Sequence, residues 1–189
     1  TPIPFLIVAL IWARGSSFEL LDFRVVILVG FALSILGEIL RINSILHAGG
    51  ATRTRDVGAP ELISSGPYSH TRNPLYIANM MIYMGIVLAS AAFFPYFQVF
   101  GLIFFGIQYS MIVSLEEESL KKLFGERYAK YCAKVPRLLP RLIADKDLKK
   151  PANLPLSAAL RQERSTLIAF SLSWILLLGR IHWLPIVNY

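Results

Sequence analysis

Five stretches of the chain are apolar all the way round a helix, and a helix that crosses a bilayer needs about 20 such residues. They run from about Pro2 to Ala13, Phe23 to Leu46, Pro74 to Ala92, Tyr96 to Leu115 and Thr166 to Ile181. The first is short, and the second carries Glu38, Arg41 and Asn43 toward its end. A tight turn around Phe94 and Pro95 joins the third to the fourth, whose helical pattern continues through EEESLKKLF until Gly125 can cap it. No strand pattern or internal repeat interrupts the series. In lipid the backbone must satisfy its own hydrogen bonds, so such runs predict helices. The predicted class is all-α: a polytopic membrane bundle of about five helices with a cytoplasm-facing pocket.

Composition agrees with a membrane chain. Of 189 residues, 55% are hydrophobic and 16% charged, and the mean hydropathy of +0.55 lies outside the soluble range. The net charge of +7 would suggest nucleic acid in a soluble protein, but here the basic residues crowd between apolar segments, so no nucleic-acid partner is expected. A single cysteine, Cys132, excludes an internal disulfide, and three scattered histidines give no metal-ligand spacing. The opening TPIPFLIVALIW lacks a positive flank and a small-residue cleavage site, and reads as a membrane helix rather than a signal peptide.

Loop charge sets the expected orientation. Arg53, Arg55 and Arg72 lie between the second and third segments, and twelve of the nineteen Lys and Arg fall between Glu116 and Arg164, which places both regions in the cytoplasm. The loop with Arg14, Glu19, Asp22 and Arg24 is balanced, and the turn near Pro95 is uncharged, so both suit the outer side. One membrane domain over 1–189 is expected: an N-terminal helix hairpin (1–47), a core of motifs (48–141) and a C-terminal helix (142–189).

Two polar constellations then face the same compartment. In GPYSHTRNPLY, Gly66 to Tyr76, Pro74 suits the first turn of a helix and Asn73 its N-cap. That reading leaves Tyr68 and Tyr76 as interfacial aromatics. The functional reading has Arg72 and the positive helix end hold an anionic group such as a carboxylate. In SLEEESLKKLFGERYAKYCAKVPRLLP, Ser114 to Pro140, Glu117 with Lys121 and Glu118 with Lys122 are four apart on a helix. Three consecutive acids at a membrane edge need more compensation than that, and a cationic ligand would supply it. Glu38 with Arg41, and Glu163 with Arg164, fit structural ion pairs or anchors at least as well as a site.

Taken in order, GPYSHTRNPLYIA followed by EEESLKKLFGERYAKYCAKVPRLLP resembles the isoprenylcysteine carboxyl methyltransferases and the related phospholipid methyltransferases. Those proteins carry Arg-His-Pro-x-Tyr-x-Gly, a Glu-Glu pair, then Phe-Gly-x-x-Tyr-x-x-Tyr ending in a basic residue and proline. Asn73 stands where the family usually has His, and Ala78 where it has Gly. Asparagine donates a hydrogen bond but cannot titrate, so proton transfer is not expected from that position.

The resemblance implies S-adenosylmethionine as cofactor, bound among Tyr68, His70, Arg72, Asn73, Pro74, Tyr76, Glu116, Glu117, Tyr128 and Tyr131. Arg72 and the helix end would take its carboxylate; Glu116 or Glu117 and the tyrosine faces would take its ammonium and sulfonium. Glu117 and Arg137 are the expected catalytic residues, with Arg137 orienting an anionic acceptor. The partners are a lipophilic or prenylated acceptor and membrane lipids. No GxGxxG follows a strand, which excludes a soluble Rossmann methyltransferase. Three other readings remain open: phospholipid N-methylation, a membrane enzyme like the sterol reductases, whose C-terminal region is similar, and a non-enzymatic scaffold.

Overall fold

The computed structural model describes residues 3–13, 23–49, 61–143 and 154–183. Among them are seven α-helices and no strand: α1 (Ile3–Ile11), α2 (Phe23–Ala48), α3 (Pro74–Ser90), α4 (Tyr96–Phe124), α5 (Glu126–Lys134), α6 (Leu156–Gln162) and α7 (Arg164–Trp183). A 3-10 turn, Gly66–Ser69, precedes α3. Among the described residues, α2, α4 and the Arg164–His182 stretch of α7 are long and apolar enough to cross a membrane. Their most apolar windows are only 11–28% buried, so most of each apolar surface faces outward, as lipid favours and water does not. α3 is a shorter apolar helix of 17 residues, and α1 has 9. The loop charges at Arg14, Glu19, Asp22, Arg53 and Arg55 lie outside the described residues.

The chain forms two compact units. The first takes Thr1–Glu38, Asn79–Ile107 and Ser165–Tyr189. Its core joins Ala13, Ile82, Ile86, Ala89, Trp174 and Leu177. The Phe5 ring meets Phe97, Phe100, Phe104 and Phe105 at centroid distances of 4.7–5.7 Å. α2 and α3 approach closely because Gly30 and Gly85 face each other, and the Ser34 hydroxyl donates to the Ile82 carbonyl at 3.1 Å. The expected turn is present at residues 92–95, with a cis peptide at Phe94–Pro95, and Gln98 Nε2 donates to the Val87 carbonyl at 3.1 Å.

The second unit takes Ile39–Ala78 and Gln108–Arg164. Gly125, at φ +50°, separates α4 from α5. A side chain there would meet nothing within 4 Å, so glycine is required by the backbone angle alone. α5 is amphipathic: Tyr128, Tyr131 and Val135 are buried together, with Leu62, Leu120, Phe124 and Cys132 around them. The short α6 stands apart from the predicted fifth helix, with Glu163 at its C-terminal cap. Glu163 is fully buried and meets Arg41 of α2, with Oε2 2.6 Å from Nε. The 154–164 segment is also tied to α2 by Leu154 N–H donating to the Leu46 carbonyl at 3.0 Å.

Candidate functional site

The two sequence constellations interlock within the second unit. Arg72 N–H donates to the Pro136 carbonyl at 2.9 Å, and the Thr71 hydroxyl reaches the Arg137 and Leu138 carbonyls at 3.2 Å. The Tyr131 hydroxyl donates to the Tyr68 carbonyl at 2.6 Å. Arg141 N–H donates to the His70 carbonyl at 3.0 Å, and His70 Nδ1 lies 2.8 Å from the Arg141 carbonyl. A ring nitrogen facing a carbonyl must carry the proton, so Nδ1–H is the tautomer this contact selects. His70 thus fastens the 137–141 loop.

The centre of the interlock is a carboxylate between two guanidiniums. Glu117 Oε1 lies 3.5 Å from Arg72 Nε, and Oε2 lies 3.4 Å from Arg137 Nε. Asn73 Nδ2 donates to the Arg137 carbonyl at 3.0 Å and reaches Glu117 Oε1 at 3.4 Å. Asn73 precedes α3 as expected, and its amide links the two motifs.

The 100° step of a helix explains why neighbouring acids do different things. Glu117 turns inward to the arginines, whereas Glu118 points to solvent and pairs with Lys122 at 2.7 Å. Ser110, Ser114 and Glu117 share one face of α4. Arg137 Nη2 lies along it, donating to the Ser114 hydroxyl at 2.5 Å and reaching the Ser110 carbonyl at 3.4 Å.

The two arginines differ in access. The Arg72 side chain is 15% exposed and also directs Nη1 to Cys132 Sγ at 2.6 Å; that of Arg137 is 35% exposed. Burial opposes the charge on Arg72, but Glu117 and Cys132 more than offset it and hold its pKa above the ordinary value. The cluster of two guanidiniums and one carboxylate carries a surplus positive charge, presented at Arg137.

A second pole lies one residue away along α4. The Tyr76 hydroxyl donates to Glu116 Oε2 at 2.8 Å, and its ring lies 5.4 Å from that of Tyr109. An exposed carboxylate beside two aromatic rings suits a cation.

Of the residues expected to form a site, the structure gathers Arg72, Asn73, Glu117 and Arg137 into one cluster and joins Tyr76 to Glu116. Tyr128 and Tyr131 are buried in the cluster of α5, the Tyr128 phenol within electrostatic reach of Glu117, Cys132 and Arg72; Pro74 is buried at the start of α3, and Tyr68 lends its carbonyl to Tyr131. Sequence reasoning missed Ser110, Ser114, Tyr109 and the Cys132 contact. The spacing of Ser110, Ser114 and Glu117 was the available signal for the first two.

Burial pushes the phenols of Tyr68, Tyr128 and Tyr131 above their ordinary pKa. A raised pKa in the folded chain means that the unfolded chain loses these protons first, at about pH 10. Stability is therefore complete below that pH and falls as pH rises beyond it. Thermal unfolding in detergent between neutrality and pH 11 should show the decline, with tyrosinate absorbance from these phenols arriving together with unfolding.

The family model for phospholipid methyltransferases matches residues 25–127, more than half of the chain. A cobalt-zinc-cadmium resistance protein of Cupriavidus metallidurans, CzcN, is 33% identical over 81 residues, covering 43% of this chain and 36% of that protein. Protein-S-isoprenylcysteine O-methyltransferase B of Arabidopsis thaliana is 30% identical over 117 residues, 59% of this chain and 57% of that protein. The chain thus spans about a third of the first relative and rather more than half of the second. No solved structure matches the chain significantly. Helices of membrane character, the two interlocked motifs and this match agree: the chain belongs to the phospholipid methyltransferase family, which includes the isoprenylcysteine methyltransferases.

Proposed function

We propose that the chain is an integral membrane methyltransferase that uses S-adenosylmethionine and methylates a carboxylate on a lipophilic acceptor, as an isoprenylcysteine-like molecule would offer, with its active-site loops facing the cytoplasm. The observation that carries the carboxylate reading is the surplus positive charge of the Arg72–Glu117–Arg137 cluster and its presentation at Arg137. The site's chemistry fits the cofactor, which has both a carboxylate and cationic groups. Arg72, already engaged by Glu117 and Cys132, would be the fixed base of the anion pole, and Glu116 with Tyr76 and Tyr109 the cation pole. When bound, the cofactor supplies an electrophilic methyl group on a sulfonium.

The protein's part in the reaction is placement. A carboxylate with a free pKa of about 3.3–3.7 is already ionised at neutral pH, so no general base is needed. Arg137 holds the acceptor oxygen, Ser110 and Ser114 fix the guanidinium along α4, and exclusion of water leaves that oxygen as the nucleophile.

One observation favours a second reading. Glu116 is exposed and hydrogen-bonded to a phenol rather than locked between arginines, so it is able to take a proton from the amine of a phosphatidylethanolamine.

Ligand-dependent melting tests the class. S-adenosylhomocysteine at ten times its Kd should stabilise the detergent-solubilised protein by about 1.4 kcal/mol, and NADPH should not. Stabilisation by NADPH alone would point to a reductase, and by neither to a scaffold. Labelled S-adenosylmethionine supplied with a farnesylated thiol acid should give base-labile methyl ester. Base-stable label in phosphatidylethanolamine instead would move the chemistry to Glu116. Arg137→Ala should weaken use of the acid acceptor by about 2 kcal/mol, the loss of a charge-assisted contact, with a smaller effect on S-adenosylhomocysteine binding.

A further inference from the structure

The loop that begins at Arg137 has a property that neither the cofactor nor the acceptor chemistry explains. Leu139, Leu142 and Ile143 are 85%, 96% and 84% exposed, the three most exposed large hydrophobic side chains among the described residues. Outward-facing aliphatics on α2, α4 and α7 are explained by helices that span lipid. These three lie on no helix.

The loop that presents them is tied down through Arg137, Leu138 and Arg141. Thr71 binds the carbonyls of Arg137 and Leu138, His70 and Arg141 exchange main-chain and ring hydrogen bonds, and Arg141 Nε donates to the Ser69 carbonyl at 2.9 Å. Arg141 Nη1 also donates to the Lys134 carbonyl at 2.8 Å, tying the loop to the end of α5. An apolar group presented outward in this way has no core to enter among the described residues.

The charge beside it indicates which partner. Tyr128, Tyr131 and Val135 are buried, while Arg127, Lys130 and Lys134, spaced three and four apart, make up an exposed basic face of α5. Aliphatic side chains next to a row of cations fit the interface of a bilayer that carries anionic lipid: the aliphatics enter the acyl boundary and the cations meet phosphate.

We propose that residues 138–143 dip into the leaflet at this end of the protein as a lipid-insertion element, with the exposed face of α5 resting on anionic headgroups. This does not depend on the reaction. Joined to the proposed function, it adds that the acceptor is taken from that leaflet beside Arg137.

The test uses the full chain in nanodiscs of phosphatidylcholine with or without phosphatidylglycerol. A nitrobenzoxadiazole label is placed at Leu142→Cys in a Cys132→Ser background, with Lys130→Cys as the comparison site. The label at position 142 should be quenched by doxyl-bearing lipid and shielded from aqueous iodide, more so with phosphatidylglycerol, and the label at position 130, at headgroup level, should be quenched less by doxyl-bearing lipid and more by iodide. Iodide quenching at 142 equal to that at 130 would overturn the proposal. Self-quenching at 142 that grows with the protein-to-lipid ratio, without doxyl quenching, would also overturn it and make the loop a contact between copies. In an acceptor assay, the Leu139→Asp, Leu142→Asp double variant should raise the KM for a membrane-borne acceptor about tenfold. It should leave a short water-soluble acceptor and S-adenosylhomocysteine binding unchanged. Equal loss on both acceptors would reject the delivery role, while loss of S-adenosylhomocysteine binding in the unaltered chain would reject the methyltransferase reading and leave the fluorescence result standing.

Discussion

Glu117→Ala is expected to destabilise the protein by about 3 kcal/mol, the cost of removing one partner from a largely buried ion cluster. The carboxylate touches Arg72 at 3.5 Å and Arg137 at 3.4 Å, so its loss leaves two guanidiniums facing each other. Most of the cost falls on Arg72, whose side chain is 15% exposed; Arg137, at 35%, regains water. Glu117→Gln keeps the shape but not the charge. It and Arg72→Ala should each weaken S-adenosylmethionine binding strongly, because the anion pole loses its geometry. Glu118→Gln should leave both melting and binding as they are, since Glu118 reaches only the exposed Lys122. Thermal unfolding paired with calorimetric titration measures both quantities. Equal effects at Glu117 and Glu118 would show that the inward-facing cluster is not the binding element.

The second large effect belongs to the first unit. Gly85→Leu should cost about 3 kcal/mol, because a side chain at that position runs into the Ser34 hydroxyl and the Gly30 carbonyl, and backbone has nowhere to yield. Even Gly85→Ala should be harmful, although alanine is normally the better helix residue. Gly106 and Gly179 provide the contrast: a Cβ at either meets nothing within 4 Å, so alanine there should be neutral or stabilise by up to about 1 kcal/mol. Unfolding midpoints of the three alanine variants, Gly85→Leu and Gly106→Leu decide the matter. A Gly85→Leu chain as stable as Gly106→Leu would mean that α2 and α3 do not pack through this glycine pair.

These two contrasts also mark how far the sequence could be read. The apolar runs located α2, α3, α4 and α7 to within a few residues, because a spanning length of apolar residues admits little besides helix. α6 was not anticipated: seven residues, LSAALRQ, after a charged and proline-containing stretch are too few to show a period. The chemistry-bearing residues were legible by type; loop charge put the two motifs on one side of the membrane, and the resemblance joined them in one site. What remained hidden was direction. Tyr128 and Tyr131 were read as faces for a cation, yet they are the buried stripe of α5, and only the packing against Leu62, Leu120 and Phe124 decides which face of a nine-residue helix turns inward. Glu118 was legible as the partner of Lys122, whereas Glu117 was expected among the site residues without the arginine pair that holds it. The partner that separates them, Arg137, lies twenty residues further along and comes into reach only when Thr71 and Asn73 hold its loop.

The Arg41–Glu163 pair joins positions 122 residues apart in the chain. A ribosome therefore releases α2, α3, α4 and α5 before the acid that Arg41 awaits exists. Closing a loop of that size requires a large entropy loss before the contact returns anything, and such non-local closures come late in assembly. The second unit is thus completed from its C-terminal side, after both motifs have met. A nascent chain halted just short of residue 154 should carry the interlocked motifs and yet be more easily proteolysed near α2 than one released past Glu163.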